Sequence, residues 1–238
     1  GRMPQPETIF AHVGRLLEKH GPLAGRRIAV TAGPTREALD PVRFLSNHSS
    51  GKMGAAIAAA AWRRGAEVDL IAGPLSVPPP VGPHVTSVET TADMADAVRR
   101  ALANADVLIM AAAPADFAPA AVAPSKLKKE TQPPAVTLQF TVDILASTRD
   151  ARRPGAVIVG FALETDDVMA HARTKLEAKE LDLIVVNDAT EQGAGFAVDT
   201  NRVTLLDRAG GAEALPLMPK PDVADAILDR VEGLLGGR

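Results

Sequence analysis

The chain has 238 residues, with 26 basic against 29 acidic side chains for a net charge of −3, and no cysteine. That balance, with no basic run longer than Lys126-Leu127-Lys128-Lys129, argues against a general nucleic-acid binder, and the missing thiols exclude disulfides, thiolate metal sites and a cysteine nucleophile. No run of about 18 apolar residues and no signal-peptide pattern occurs, so the sequence predicts a cytoplasmic protein without membrane contact.

Apolar Ile9, Val13, Leu16 and Leu17 recur at helical spacing over 8–20, and Gly21-Pro22 ends that helix. A short apolar strand follows at 27–31 and runs into the turn Gly33-Pro34-Thr35-Arg36. The stretch Ser46-Asn47-His48-Ser49-Ser50-Gly51-Lys52-Met53-Gly54 then leads into an alanine-rich helix over 51–64. Unpaired N–H groups and the macrodipole make such a helix start suited to an anion, and Gly51 and Gly54 permit close approach to the backbone. A plain cap-and-turn reading stays open for either loop.

Further along, the pattern predicts a strand at 67–72, a proline-rich loop at 78–80, a strand near 85–88, a helix over 93–103 and a strong strand at 107–110. Strands alternating with helices imply a parallel sheet covered on both faces. In such sheets ligands bind at the carboxyl ends of the strands. Residues 114–134 lack periodicity and read as one long loop, a length that usually marks function or disorder. Beyond it come a strand at 135–140, a short helix near 142–148, a strand at 156–161, a helix over 166–179 and a strand at 181–186. Segments 202–207 and 214–217 flank Arg208-Ala209-Gly210-Gly211 as a hairpin, and a helix over 221–235 closes the pattern. The fold class is α/β: a Rossmann-like, doubly wound, mainly parallel sheet with a small antiparallel hairpin appendage.

Small residues at 111–115 would let a flat base or a ribose lie against the backbone. Asp116 could accept hydrogen bonds from ribose hydroxyls or a base amino group; a turn or cap aspartate fits the spacing equally well. Lys126, Lys128 and Lys129 offer point charges for phosphate oxygens as an anhydride breaks, or an ordinary solvated segment. Lys175 and Lys179, four apart, share a helix face and suit a triphosphate clamp, although Glu177 and Glu180 permit a plain surface. Walker A fails, with Ser46 where glycine is needed and Met53 after Lys52. No G-x-G-x-x-G follows the first strand. His12, His20, His48, His84 and His171 lack metal-ligand spacing.

Taken together, Thr31-Ala32-Gly33-Pro34-Thr35-Arg36-Glu37, the run Asp40-Pro41-Val42-Arg43 through Gly54, Ala112 to Asp116, Ala123-Pro124-Ser125-Lys126, Gly160-Phe161-Ala162-Leu163-Glu164-Thr165 and Leu181 to Asp188 closely resemble the phosphopantothenate–cysteine ligase family. That family forms the carboxy-terminal half of a bifunctional bacterial coenzyme A biosynthesis protein, behind a flavin-dependent decarboxylase. The resemblance implies a linker helix over 1–24 and a nucleotide-binding ligase domain over 25–238. It implies ligation of 4′-phosphopantothenate to L-cysteine at the expense of CTP, through an acyl cytidylate, by a homodimer with Mg2+ carried on the triphosphate. By the same resemblance Lys126 serves the phosphates in the first half-reaction and Asn47 holds the intermediate for the second. Arg43 supports that pocket or the subunit contact beside it. Nucleotide contacts fall on Ala112, Asp116, Lys126, Val142, Asp143, Ile144, Leu145, Phe161, Lys175 and Lys179. Val142 and Pro114 depart from the residues usual in the family. The hairpin over 202–217 is the candidate for exchange between subunits. A nicotinamide oxidoreductase is disfavoured by the missing glycine fingerprint and the absence of tyrosine, while a non-catalytic nucleotide-binding module stays open.

Overall fold

The computed structural model describes residues 3–129, 135–164, 168–188 and 198–237. The elements in chain order are α1 (Pro6–Glu18), β1 (Arg27–Ala32), β2 (Arg36–Ala38), β3 (Phe44–Ser46), α2 (Lys52–Arg63), β4 (Glu67–Ala72) and β5 (His84–Ser87). There follow α3 (Thr91–Leu102), β6 (Val107–Met110), β7 (Phe117–Pro119), β8 (Leu138–Phe140), α4 (Ile144–Ser147), β9 (Val157–Glu164) and α5 (Val168–Ala178). The last group is β10 (Leu183–Asp188), β11 (Thr200–Asn201), β12 (Val203–Asp207), β13 (Ala212–Ala214), β14 (Met218–Pro219) and α6 (Lys220–Gly236).

One eight-stranded sheet has the order β13-β12-β10-β9-β6-β1-β4-β5. The pairs among β5, β4, β1, β6, β9 and β10 are parallel. Numbered among themselves along the chain, these strands run 3-2-1-4-5-6, the Rossmann order, whose direction reverses between β1 and β6. In open α/β sheets the ligand crevice lies at the carboxyl ends of the strands flanking such a reversal, here β1 and β6. The fold class read from the sequence is therefore the one observed. The expected hairpin is β12–β13, with its second strand at Ala212–Ala214 instead of 214–217, and it joins the main sheet through antiparallel pairing of β12 with β10. Burial explains the docking, because Val203 and Leu205 enter one core while Leu206 enters the other.

Alternation along β1 builds both faces. Ile28, Val30 and Ala32 pack with Ile57, Ala58 and Ala61 of α2 and Val223, Ile227 and Val231 of α6. On the other side Ala29 packs with Met94 and Val98 of α3, Ile144 and Leu145 of α4 and Ala172 and Leu176 of α5. Near-continuous apolar strands are what a sheet buried on both faces requires. Helix α1 lies outside this sandwich with no buried residue of its own. It is held by the Arg15 guanidinium, which sits 4.7 Å from the centre of the Trp62 ring and donates to the Ala66 carbonyl at 2.9 Å. No helix among the described residues is long and apolar enough to cross a membrane.

Small ladders decorate the carboxyl end of the sheet: β2 with β3, β7 with β8, and β11 with β14. The region 114–134, expected as one loop, contains β7, and the strand expected at 135–140 is confined to its last three residues. Within the helix expected over 166–179, residues 166 and 167 lie outside the described residues, and Lys179 falls just past the end of α5. Its N–H still donates to the Lys175 carbonyl at 3.0 Å, so the two lysines keep their helical relation.

Candidate active site

Helix α2 approaches β1 at Gly54, where a Cβ would stand 2.6 Å from Ala32 Cβ and 2.7 Å from the Thr31 carbonyl oxygen. Only glycine allows that approach, the task of the last glycine in a dinucleotide fingerprint. Gly51 caps α2 with φ of 75°, in the left-handed region, and abuts Gly33 in the turn after β1. The turn after β1 and the loop leading into α2 therefore touch there.

The loop after β6 completes the crevice. The Ala113 N–H donates to the Gly33 carbonyl at 2.9 Å, and Asn47 Nδ2 donates to the Pro114 carbonyl at 2.9 Å. Asn47 is thereby fixed at the switch point, beside the segment that carries Ala112 and Asp116. A buried polar network holds that segment from below. Thr35 Oγ1 accepts the Ala115 N–H at 2.8 Å and shares a hydrogen bond of 2.8 Å with Thr91 Oγ1. Glu37 Oε1 accepts from the Thr91 N–H and hydroxyl, each at 2.8 Å. The Ala112 N–H is taken by Thr31 Oγ1 at 3.1 Å, which narrows any backbone contact of Ala112 with a ligand to its carbonyl. Asp116 is exposed, and its carbonyl accepts the Thr141 N–H at 3.0 Å, which draws the 142–145 segment alongside.

That neighbouring segment carries the second group of candidates. Asp143 caps α4 through the Ala146 N–H at 3.1 Å, and its other carboxylate oxygen pairs with Lys179. Lys175 Nζ donates to the Phe161 carbonyl at 2.9 Å. Since Gly160 stands opposite Met110 in the sheet, Phe161 lies next to the start of the 111–116 loop. Val142 is exposed, whereas Ile144 and Leu145 bury their side chains in the core. The Leu145 carbonyl is occupied by Arg152 Nη2 at 2.8 Å. Contact of those two residues with a nucleotide is therefore restricted to the amides of the first helical turn.

Lys126 reaches the same end of the sheet by a different route. It is exposed on a stretch with neither helix nor strand. The adjacent Leu127 donates its N–H to Asp40 Oδ2 at 3.1 Å and accepts from Arg43 Nη2 at 2.8 Å. Arg43 lies on the turn just before β3 and Asn47 just after it, so the Lys126 segment and Asn47 are held at the two ends of one short strand. The Arg43 guanidinium holds the Asp40 carboxyl well below the usual carboxylate range.

Two features escaped sequence reasoning. Asn187, near the carboxyl end of β10, has a buried side-chain oxygen that finds no hydrogen-bond partner among the described residues. Buried polar atoms are regularly paired, so this oxygen is a candidate acceptor at the carboxyl end of the sheet. Lys52, the first residue of α2, turns to Asp199 at 2.6 Å, tying the helix to the segment ahead of β11. A cavity of about 740 Å³ lies elsewhere, at the amino ends of the strands, among Arg26, Arg27, Asp106 and Arg153. It is remote from the switch point, and ligands of open α/β sheets bind at the carboxyl ends.

Architecture and crevice define a Rossmann-type α/β domain with its candidate ligand site at the strand-order reversal. The family model described as "DNA/pantothenate metabolism flavoprotein C-terminal domain" matches residues 23–234, and the chain belongs to that family. It is 45% identical over 241 residues to the coenzyme A biosynthesis bifunctional protein CoaBC of Bacillus subtilis, covering 98% of this chain and 58% of that protein. It is 41% identical over 236 residues to a cysteine/cysteine sulfinic acid decarboxylase from an unknown prokaryotic organism, covering 97% of this chain and 66% of that protein. The crystal structure of the C-terminal domain of a CoaBC protein superposes with a TM-score of 0.79 at 39% identity, over 92% of this chain and 100% of that one. The chain thus spans under two thirds of the curated relatives it matches.

Proposed function

We propose that this domain joins 4′-phosphopantothenate to L-cysteine, using CTP to activate the acid as an acyl cytidylate. One observation carries the reading: Asn47 Nδ2 is bonded to the Pro114 carbonyl of the loop after β6, while β3 links Asn47 to the Arg43 turn that holds the Lys126 segment at Leu127. Family membership and the names of the CoaBC relatives support it.

In the first step a carboxylate oxygen of the substrate attacks the α-phosphorus, and the bond to pyrophosphate breaks. Negative charge grows on the phosphates, where a cation already in place stabilises it most; Lys126 is assigned that task. In the second step the cysteine amine attacks the acyl carbon, its proton is lost, and CMP departs with the former carboxylate oxygen. Asn47 is assigned to the acyl cytidylate because an amide N–H donates to a developing oxyanion without titrating. The pairs Asp143–Lys179 and Phe161–Lys175, with Asp116 and the Asn187 oxygen, supply the polar groups for ribose, base and phosphates. Magnesium would travel on the triphosphate and neutralise phosphate charge; the exposed carboxylate of Asp116 is a hard oxygen donor suited to its shell. We assign the working protein to the cytoplasm as a homodimer, with the β12–β13 hairpin in the subunit contact and a flavin-dependent decarboxylase as the partner domain of the bifunctional form.

The test is to supply CTP, magnesium and 4′-phosphopantothenate and to measure pyrophosphate and amide with and without cysteine. A cysteine-dependent amide is expected, with CTP preferred among the four nucleoside triphosphates. No pyrophosphate with any nucleotide would leave a binding module in its place.

A further inference from the structure

We propose that Asp40 is a positioning residue for Lys126: acting through Arg43 and the backbone of Leu127, it fixes where the lysine stands relative to the nucleotide phosphates. This inference rests on the function proposed above.

The turn Asp40-Pro41-Val42-Arg43 uses the two carboxylate oxygens differently. Oδ1 accepts the N–H groups of Val42 and Arg43, each at 2.8 Å, and so shapes the turn itself. Oδ2 accepts Arg43 Nε at 3.0 Å, Arg43 Nη2 at 2.5 Å and the Leu127 N–H at 3.1 Å. Arg43 Nη2 in turn donates to the Leu127 carbonyl at 2.8 Å. A single ion pair thus grips both backbone polar groups of Leu127, and a residue held at both cannot slip in register. Asp40 is buried, a setting that a carboxylate tolerates only when paired and fully hydrogen-bonded.

The Lys126 stretch has no helix or strand to set its height. One other backbone contact ties it to the same turn, the Ala123 N–H to the Leu39 carbonyl at 3.0 Å. Arg43 neutralises the Asp40 charge, so the grip adds no net negative charge beside an ammonium meant for phosphate. Catalytic groups lose their effect quickly when misplaced, and about 1 Å can cost roughly 100-fold in rate.

Asp40→Asn separates the two jobs. The amide oxygen can keep the turn, while the amide nitrogen faces the guanidinium and the Leu127 N–H with donors of its own. We expect the variant to fold and to bind CTP within about twofold of the parent, and to release pyrophosphate about 100-fold more slowly, a loss in kcat and not in nucleotide KM. Arg43→Lys, which keeps charge but loses the fork, should fall in the same direction, and the double variant should be little worse than either single one. Amide hydrogen exchange gives a readout independent of activity: the Leu127 N–H should exchange at least about tenfold faster in Asp40→Asn, while the Ala123 N–H serves as internal reference. Unchanged Leu127 exchange, or a parental pyrophosphate rate in a folded variant, overturns the inference. A parent protein that makes no pyrophosphate defeats the proposed function instead, and the exchange measurement still decides whether the grip exists.

Discussion

Gly54→Ala tests the helix–strand contact on which the crevice is built, because the structure reverses the sign expected from helix propensity. In an unconstrained helix interior this change stabilises by about 1 kcal/mol. Here the new Cβ would stand 2.6 Å from Ala32 Cβ and 2.7 Å from the Thr31 oxygen. Comfortable contacts need about 3.5 Å, so α2 must retreat by somewhat under about 1 Å. The opposing atoms belong to β1, held between β4 and β6, and cannot give way locally. Overpacking of this kind costs about 1–3 kcal/mol, which outweighs the propensity gain at its upper end and leaves a net loss of about 1–2 kcal/mol. For a chain of this size that is a fall of roughly 2–8 °C in Tm. Gly233→Ala in α6 is the matched control, since its Cβ would meet nothing within 4 Å. It should raise Tm by about 2–4 °C through propensity and the unfolded chain. Thermal melts of the two variants settle the matter. A Gly54→Ala protein as stable as Gly233→Ala would refute the close approach of α2 to β1.

Lys126→Gln should abolish pyrophosphate release, whereas Asn47→Asp should let acyl cytidylate accumulate with little amide, as a carboxylate cannot stabilise a second anion. Mass spectrometry of quenched reactions distinguishes them, and equal loss of both half-reactions in both variants would show the division of roles to be wrong. Thr35→Val strands the buried Ala115 N–H, which now donates to Thr35 Oγ1. A stability loss of about 1–3 kcal/mol by denaturant titration is expected, together with a raised KM for nucleotide; a change in neither would remove the network from the site. Asp93, bonded to the Thr90 N–H, Asp150, paired with Arg99, and Asp199, paired with Lys52, are held below the ordinary carboxylate range. Their folded-state pKa is depressed, so their contribution is complete above the unfolded value and disappears as acid protonates them. Tm should hold steady from about pH 7 to 5 and decline below about pH 4, and an unchanged Tm at about pH 3 would contradict this.

The layered architecture was legible because its signals are local. The strand at 107–110 is an unbroken apolar run and that at 67–72 ends in Leu70-Ile71-Ala72, and both are observed with those bounds. The helices over α2, α3 and α6 carry enough turns for a period to show, and their errors are confined to one or two end residues. The small ladders gave no such signal. β2, β3, β7 and β8 have three residues each, too few for alternation to be read. They exist because distant segments meet: Phe117 pairs with Phe140 across a separation that no window of sequence spans. Confining the 135–140 strand to Leu138–Phe140 follows from the same cause, since those three residues are the ones that pair in register with β7.

The site divides along a similar line. Its residue types could be read, since amides, lysines and glycines cluster in short motifs, but their mutual placement is set by bonds between remote positions. Thr35 and Thr91 are 56 residues apart, and Asp40 and Leu127 are 87 apart. In sequence, Asp40 before Pro41 is a turn former and nothing more. In the fold its carboxylate also accepts the Leu127 N–H, beside the lysine assigned to the phosphates. Asn187 shows the converse, an ordinary strand-end asparagine until the surrounding core leaves its oxygen unpaired. Candidate ligand-touching residues can therefore be named from their chemistry, whereas residues that aim them become visible only through their hydrogen-bond partners. If that holds here, substitutions at Asp40 and Thr35 should damage turnover through geometry while leaving every ligand-touching side chain in the sequence unchanged.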